Sequence, residues 1–380
     1  MNPRIVEPVG LASSLVFTMH GLCSDILHAS GCRAFRKKAA RLEISREREP
    51  LVNYGRLEGT SQQAGLPIGG QIKLIPLRRK FPEHLDRFNL IYLVSSALPE
   101  HVEEIVAAAR KRGARLVWNQ NGVAYPGCYG DRYAWLNIRM AALRAQADYI
   151  FNQSEFSRTS AERYLGHSDA PSEICLNPVD AKMFSPAETT LPQAPWQILA
   201  AGTSHALYRT QSALDTLRCL LARGRPAHLT IAGEFRWNNA AAQVETAIEG
   251  IRDHVTFLPP FSQGEAPEIY RRAHVLLHTK FNDPCPTVPI EAMSCGVPVV
   301  ATHSGGMPEL VPSESGILVP VAQSWTRDLA GDPELLSDAV ERIMENHAGF
   351  SRASKEHAVH AFDLDRWLDR HESAFRELAQ

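Results

Sequence analysis

The stretch FNDPCPTVPIEAMSCGVPVVATHSGGMPELV, residues 281–311, decides the architecture of this 380-residue chain. A short strand-like run, Val275–His278, comes just before it, and a second run, Val299–Ala301, lies inside it. Between the two runs Thr287–Cys295 has a helical pattern, and Gly296 supplies a typical helix stop. Strands that are apolar throughout and alternate with helices are typical of a parallel sheet covered on both faces. The stretch therefore predicts an α/β protein.

The same alternation extends over most of the chain. The further strands that it predicts are Asn89–Val94, Ala114–Trp118, Asp148–Phe151, Glu173–Leu176, Gln197–Ala201, Ala227–Ala232 and His254–Leu258. The further helices are Pro99–Arg112, Thr210–Arg223, Ala266–Arg272 and Pro333–Glu345. A chain of this length and pattern favours two domains rather than one core.

A proline-rich break at Ser185–Pro195 divides the pattern into two halves. We expect two Rossmann-like, doubly wound domains that face a central cleft, with residues 51–186 in the first, 187–360 in the second and 361–380 as a C-terminal helix. Residues 1–50 form an extension of unassigned structure, in which Arg33–Glu49 has a helical pattern. The opening strand is either Ser14–Met19 or Leu51–Tyr54. We favour the second, because Gly69-Gly70 and a helix-like Gln71–Arg87 then complete a strand, glycine loop and helix.

Composition narrows the class of protein. Apolar residues make up 44% and charged residues 22% of the chain, as in a globular protein. No apolar run approaches the roughly 20 residues that span a bilayer, and no signal-peptide pattern opens the chain, so we expect a cytoplasmic protein. The seven cysteines are scattered, and no histidine cluster has metal-ligand spacing, so we expect neither disulfides, nor a metal, nor a cofactor.

Charge is spread unevenly. Residues 1–186 carry 24 Lys and Arg against 18 Asp and Glu, a net of +6, whereas residues 187–380 carry 16 against 24, a net of −8. A basic half can hold a protein peripherally at the inner face of an anionic membrane, and a merely solvated surface accounts for the count equally well. The clustered basic and aromatic pattern of a nucleic-acid-binding protein is missing.

Two pieces of the opening stretch carry candidate chemistry. Asp283 lies in the loop after a predicted strand, at the edge where ligands bind in such sheets, and Glu291 falls in the first turn of the next helix. The unpaired backbone amides between Cys285 and Pro289 form an anion site there. Gly305-Gly306 follow the next strand, where they allow a ligand to approach the backbone, before Pro308 opens a second helix.

The run Asp283-x7-Glu291-Ala-Met-Ser-Cys-Gly, followed by Gly305-Gly306-x-Pro-Glu309, resembles the donor-site signature of family-4 glycosyltransferases, the glycosyl transferases of group 1. These are retaining enzymes with two Rossmann-like domains, the GT-B fold. Other segments resemble family elements in the same order: Ala147–Ile150 with Ser154, Asn177–Asp180, Gly202–Arg209, Ile231–Gly233, Val255–Pro260 and Phe362–Leu378. The resemblance covers the chain from about Asn89 to its end.

The resemblance implies roles for matching positions. Asp283 would contact the transferred sugar, Glu291 the ribose of the nucleotide, and the amides of Thr287 and Val288 the distal phosphate. Arg209 would neutralise the leaving diphosphate. The implied catalytic residues are Asp283, Arg209 and Glu291, and the implied donor-binding residues are Gly202, Thr203, Arg209, Leu258, Pro260, Cys285, Thr287, Val288, Glu291, Gly305 and Gly306. The implied acceptor-side residues are Gly69, Gly70, Asn121, Gly122 and Tyr125.

Three positions depart from the family pattern: Asp283 stands where glutamate is usual, Thr203 where arginine is usual, and Asn121 where histidine is usual. Tyr125 is open to two interpretations, stacking on an acceptor sugar or burial beneath the cleft.

The resemblance predicts a retaining transfer of a hexose-type sugar from a UDP- or GDP-sugar to a glycan, lipid-linked or small-molecule acceptor, as in surface polysaccharide or glycoconjugate synthesis. The alternative is a catalytically impaired homologue that binds nucleotide sugar or serves as a partner subunit. A nucleotide-sugar epimerase would need acid–base residues that we do not locate, and a nicotinamide-dependent oxidoreductase would need a G-x-G-x-x-G turn that the chain lacks.

Overall fold

The computed structural model describes residues 41–57, 69–189 and 191–380. The alternative opening strand Ser14–Met19, and the first part of the helical run predicted at Arg33–Glu49, lie outside these residues. The described part of that run is not helical, which corrects the prediction: Glu43–Ile44 forms a strand, β1, that pairs in parallel with β3 at Arg87–Phe88. A charged run read in isolation favours a helix, but here the backbone is used in a sheet ladder.

The first sheet is parallel and has the strand order β2-β4-β5-β6-β7. Its strands are β2 (Val52–Asn53), β4 (Leu90–Val94), β5 (Arg115–Gln120), β6 (Tyr149–Asn152) and β7 (Ser172–Ile174). Every residue of β4 is buried, as expected for a strand covered on both faces. Leu51–Tyr54, the segment that the sequence favoured as the opening strand, contributes β2 to this sheet.

In the part of the chain that the structure describes, five α-helices accompany this sheet: α1 (Leu74–Lys80), α2 (Val102–Arg110), α3 (Pro126–Tyr129), α4 (Tyr133–Arg144) and α5 (Glu155–Leu165). The predicted helix Gln71–Arg87 is shorter than expected and corresponds to α1. Pro76 occupies the third position of α1, where its missing N–H would have had no intrahelical partner.

The second sheet is also parallel and has the order β10-β9-β8-β11-β12-β13. Its strands are β8 (Trp196–Ala201), β9 (Ala227–Ala232), β10 (Val255–Leu258), β11 (Val275–His278), β12 (Val299–Thr302) and β13 (Gly316–Val319). The chain runs outward from β8 on one side and from β11 on the other. The switch point between these two strands is the place where doubly wound sheets bind ligands.

The helices of the second half are α6 (Leu207–Ala222), α7 (Ala240–Ala247), α8 (Ala266–Tyr270), α9 (Thr287–Ser294), α10 (Met307–Leu310), α11 (Pro333–Glu345), α12 (His347–Ala361) and α13 (Leu364–Leu378). Helix α13 returns to the first sheet, where Trp367 and Phe375 are buried with Tyr92 and Phe151. The C-terminal helix of the chain thus contacts the first domain, which buries its apolar face.

Candidate functional site

Three loops converge at the switch point of the second sheet. Gly202 follows β8 with a positive φ of 96°, and the position of a Cβ on it would lie 3.6 Å from Val288 at the start of α9. Gly233 follows β9, and a Cβ there would lie 2.6 Å from the carbonyl oxygen of Gly202. The predicted donor residues Gly202, Thr203 and Val288 are therefore neighbours in space, although 86 positions separate the first from the last in the sequence.

The N-terminus of α9 has free donors. Pro286 is its N-cap residue and provides no side-chain hydrogen bond, so the amides of Thr287 and Val288 keep their donors for a ligand. The structure corrects one detail: because the helix begins at Thr287, Glu291 is its fifth residue and lies in the second turn, not in the first.

Glu291 is a buried carboxyl group with two partners. Tyr270 donates a hydrogen bond of 2.8 Å to its Oε2 atom, and Gln263 donates one of 3.2 Å to its Oε1 atom. Burial raises the pKa of Glu291 to about 7, even though both hydrogen bonds act in the opposite direction. The second acid of the motif therefore sits between helix α9 and the loop after β10, at the edge of the sheet that Leu258 and Pro260 also occupy.

Asp283 is buried beside two basic side chains. The Nζ atom of Lys280 lies 3.0 Å from its Oδ2 atom, and the Nε2 atom of His278 lies 3.4 Å from the same oxygen. Burial alone would raise the pKa of Asp283, but these neighbours more than offset it and hold the pKa well below its usual range. Asp283 is thus an anion. Sequence reasoning missed Lys280, whose only signal was its position three residues before Asp283 in the same loop.

Arg209 is the third residue of α6 and faces the same crevice, where it lines a small pocket with Gly202, Gly233 and Thr279. Its Nη1 atom donates a hydrogen bond of 2.6 Å to the carbonyl oxygen of Thr203, and its Nε atom is buried without a partner. Burial lowers the pKa of Arg209, and the Asp283 carboxylate partly opposes that shift. The guanidinium of Arg209 thus faces the crevice, and one of its edges is bound to the loop that carries Thr203.

The paired glycines Gly305 and Gly306 lie where two protein loops pack closely. A Cβ on Gly305 would lie 2.4 Å from the carbonyl oxygen of Asp283, and one on Gly306 would lie 2.0 Å from that of Pro284. The amide of Gly306 donates to the Asp283 carbonyl at 2.8 Å. The glycines therefore let two protein loops pack together, because a side chain at either position would meet backbone atoms.

The helix that Pro308 opens offers fewer free amide donors than α9 does. Helix α10 has only four residues, and the amide of Met307 bonds to the carbonyl of Ser304. Of the two helix starts in the opening stretch, only that of α9 keeps its donors.

Cys285 contacts Asn177, which lies in the segment that links the two sheets. Its backbone carbonyl accepts a hydrogen bond of 2.6 Å from the side-chain Nδ2 atom of Asn177, and its thiol accepts one from the backbone N–H of Asn177. Leu258 ends β10, where its carbonyl accepts from Gly233, and Pro260 is exposed beyond it.

The acceptor-side residues fall into two groups. Gly70, Asn121 and Gly122 lie together at the carboxyl edge of the first sheet, where the position of a Cβ on Gly122 is 3.2 Å from Pro284 of the second domain. Tyr125 is buried and engaged: its hydroxyl donates to Asp328 at 3.1 Å, and its ring packs edge-on against Trp325. The structure supports the second interpretation of Tyr125, burial beneath the cleft.

The partners of Tyr125 belong to a segment that the sequence did not single out, residues 320–332, which we call the strap. It leaves β13 and crosses to the first domain, where Trp325 stacks on Phe156 with ring centroids 5.2 Å apart. The carbonyl of Trp325 accepts a hydrogen bond of 2.8 Å from the amide of Gly127. At its base the carbonyl of Ser324 accepts from Asn282, the residue before Asp283. The strap therefore connects the loop that carries Asp283 to the first domain.

Within the described parts of the chain, no group of three or more His, Cys, Asp or Glu side chains is placed to hold a metal ion. None of the helices there is both long and apolar enough to cross a bilayer.

Two parallel α/β domains that meet across a cleft, with a motif-bearing crevice at the switch point of the second, define a protein of the GT-B class. Solved structures agree with this fold. HepE from Anabaena, crystallised with UDP and glucose, superposes with a TM-score of 0.66 at 16% identity, over 86% of this chain and 99% of HepE. Sucrose-phosphate synthase from Thermosynechococcus elongatus superposes with a TM-score of 0.60 at 18% identity, over 77% of this chain and 74% of the synthase.

Residues 197–346 match the family model for glycosyl transferases group 1. Curated relatives include D-inositol 3-phosphate glycosyltransferases. The protein of Saccharomonospora viridis is 32% identical over 52% of this chain and 43% of its own length. That of Mycobacteroides abscessus is 40% identical over 29% of this chain and 23% of its own length. The chain thus spans less than half the length of these two relatives.

Proposed function

We propose that this protein transfers a hexose-type sugar from a nucleoside-diphosphate sugar to an acceptor with retention of anomeric configuration. The observation that carries the proposal is that Asp283, the free amides at the start of α9, and Glu291 lie on one continuous loop and helix that follow β11 at the switch point of the second sheet. A carboxylate accepts hydrogen bonds from sugar hydroxyls, and free helix amides bind phosphate. A UDP-linked donor is favoured, because HepE, which shares the fold, was solved with UDP and glucose.

In the proposed reaction the bond between the anomeric carbon and the phosphate oxygen breaks, and the acceptor oxygen bonds to that carbon on the same face. The leaving phosphate takes the acceptor's proton, so no protein base is required. The amides of Thr287 and Val288, with Arg209, stabilise the negative charge that grows on the diphosphate. Glu291 holds the ribose through an oxygen that is not saturated by Tyr270 and Gln263, while Asp283 orients the sugar.

For the acceptor we propose a hydroxyl compound that enters beside Asn121 and Gly122 of the first domain. The class remains that of a glycan, a lipid-linked sugar or a small molecule, and the naming of the curated relatives after D-inositol 3-phosphate adds polyol phosphates to it. A lipid-linked acceptor would suit peripheral contact of the basic first half with the inner face of the cytoplasmic membrane. No metal or cofactor enters this scheme.

One observation favours a second candidate, the catalytically impaired homologue. Thr203 replaces a cation of the phosphate site, and its carbonyl holds one edge of Arg209, the remaining guanidinium there. A site so depleted of free positive charge could bind a nucleotide sugar without activating its departure.

The two candidates are separated by incubating the pure protein with a panel of UDP- and GDP-hexoses and measuring nucleoside-diphosphate release. An active transferase releases nucleoside diphosphate slowly with water and faster with a suitable acceptor, and Asp283→Asn lowers that rate by at least about 10-fold. Donor binding in a thermal-shift assay without any release would instead support the impaired homologue. Neither binding nor release with any donor would contradict both candidates.

A further inference from the structure

A lysine that the proposed mechanism does not use lies beneath the cleft. Lys73 is the residue before α1, and only 5% of it is exposed. Its Nζ atom donates to three side-chain amide oxygens: Asn119 Oδ1 at 3.0 Å, Asn121 Oδ1 at 2.9 Å and Gln153 Oε1 at 3.1 Å. An ammonium group has three donors, and here all three are used.

The ammonium fixes which way those amides face. Because it can only donate, Asn119, Asn121 and Gln153 must all turn their oxygens toward it, and their nitrogens must point away. For Asn121 the consequence is visible: its Nδ2 atom donates to Ser96 Oγ at 2.7 Å and lies beside Gly70, where the position of a Cβ would be 3.0 Å away. Among the described residues Ser96 is the one hydrogen-bond partner of that nitrogen, which leaves its second N–H for a ligand.

The amide cluster reaches the donor half of the cleft. Gly122, the neighbour of Asn121, packs against Pro284, which follows Asp283. Gln153 Oε1 also accepts from Asn177 Nδ2, which in turn donates to the carbonyl of Cys285, two residues before α9. A lysine of the first domain is thereby connected through hydrogen bonds to the segment that carries the donor site.

We propose that Lys73 is a positioning residue for the transfer reaction, which locks Asn121 with its amide nitrogen toward the cleft as a donor to substrate oxygens. The proposal rests on the proposed function. A sugar or phosphate presents acceptor oxygens, so an asparagine held in this orientation binds them, whereas one that rotates by 180° presents an oxygen and repels them. Lys73 itself touches no substrate.

Charge around Lys73 supports this assignment. The titratable groups that act on it are Cys175 and Cys285, and Lys73 in turn acts on His371. Burial raises the pKa of each thiol to about 12 and lowers that of His371 to about 3, so all three are neutral near pH 7. No carboxylate is among the groups that shift Lys73, and burial lowers its pKa to about 8. Its main partners are therefore the three amides.

The test is a double-mutant cycle on donor turnover with the variants Lys73→Met, Asn121→Ala and the pair. If Lys73 acts through Asn121, each single change lowers kcat by about 10-fold or more, and the pair is no worse than Asn121→Ala alone. The KM for the donor stays within about 2-fold, since the donor binds in the second domain. Lys80→Met is the matched control: Lys80 ends the helix that Lys73 precedes, but it pairs at the surface with Asp369 and Glu372, and its loss should leave kcat unchanged.

The pH profile gives a second readout that a merely structural role would not move. Above about pH 8 the amine of Lys73 loses a proton and must accept one hydrogen bond, so an amide can rotate and kcat falls. Asn121→Ala should lack this alkaline decline.

Strictly additive losses, a wild-type kcat in Lys73→Met, or an alkaline decline that persists in Asn121→Ala would each overturn the inference. Binding of UDP to each variant, followed by thermal shift, checks that the second domain is folded. A wild-type protein that binds UDP and turns over no donor would contradict the proposed function and, with it, any positioning role. Active wild type with an equally active Lys73→Met contradicts the present inference alone.

Discussion

The carboxylate of Glu309 accepts a hydrogen bond of 2.9 Å from the backbone amide of Phe156, so an acid of the second domain caps a helix of the first. The amide of Glu155 donates to the same carboxylate. Helix α5 already has Ser154 as its own N-cap, which binds the amide of Ser157, and Glu309 satisfies two further amides of its first turn. The contact joins the Gly305-Gly306 loop to the first domain beside the strap.

Removing this carboxylate should loosen the contact between the domains. Loss of a helix-capping acceptor costs about 0.5–2 kcal/mol, and we expect Glu309→Ala to lower the unfolding temperature by about 1–3 °C. Glu309→Gln keeps one of the two acceptor oxygens and loses the charge, so its loss should be smaller than that of Glu309→Ala. Calorimetry of both variants is the measurement, and an Ala variant as stable as wild type would contradict the capping role.

Gly306→Ala should destabilise the second domain. Its backbone has φ −85° and ψ 1°, which alanine adopts easily, so the cause is steric alone: the new methyl would meet the Pro284 carbonyl at 2.0 Å. We expect a loss of about 1–3 kcal/mol in urea unfolding. Gly264→Ala is the matched control, because a Cβ there has only Ser262 Oγ near it, at 3.9 Å. Equal stability of the two variants would mean that the loops are not packed as described.

The buried carboxyl of Glu291 should give stability an unusual dependence on pH. Its pKa is about 7 in the folded protein and near 4.5 when the chain is unfolded, so the folded state binds the proton more tightly between these values. The group therefore lowers stability as pH rises from about 4.5 to 7. Glu291→Gln abolishes this loss.

Relative to wild type, the Glu291→Gln variant should gain on the order of 2–3 kcal/mol on going from pH 5 to pH 8. Urea unfolding at the two pH values measures this difference, and a constant difference between the two proteins would show that the carboxyl titrates normally. In the same variant the donor KM should rise, because an amide replaces the carboxylate that we assign to the ribose.

Arg209→Ala should slow the departure of the diphosphate more than it weakens donor binding. We expect kcat for donor turnover to fall by about 10²-fold, with a smaller change in the donor KM, as for the loss of a group that stabilises developing charge. Arg209→Lys retains a charge without the second edge that contacts the Thr203 carbonyl, and it should recover part of the rate. Unaltered turnover in the alanine variant would remove Arg209 from this role.

Much of the second domain could be predicted from its sequence. The strands Ala227–Ala232 and Val275–His278 and the helix Pro333–Glu345 have the predicted bounds, because apolar strands and a helix with Asp332 before Pro333 carry strong local signals. Strand β13 was missed, and so was the strand at Glu43–Ile44, where a charged run gave the wrong periodicity. Pairing with a neighbouring strand decides such segments, and no local pattern records it.

The candidate site divides in the same way. The sequence by itself was enough to single out Asp283 and Glu291 as candidates and to place the start of α9, since their spacing and the proline before a helix are local features. Only the tertiary structure decided that Gly305 and Gly306 serve loop packing, that Lys280 faces Asp283, and that Tyr125 is covered by the strap. Lys280 and Asp283 share one loop, but their contact depends on how that loop folds; the other two relationships join loops that follow different strands or lie on different domains, and they form only when both sheets have formed. Lys73 shows the difference most clearly. Nothing in the sequence distinguishes it from a surface lysine, and only the structure shows that it is buried with three side-chain amides as its partners.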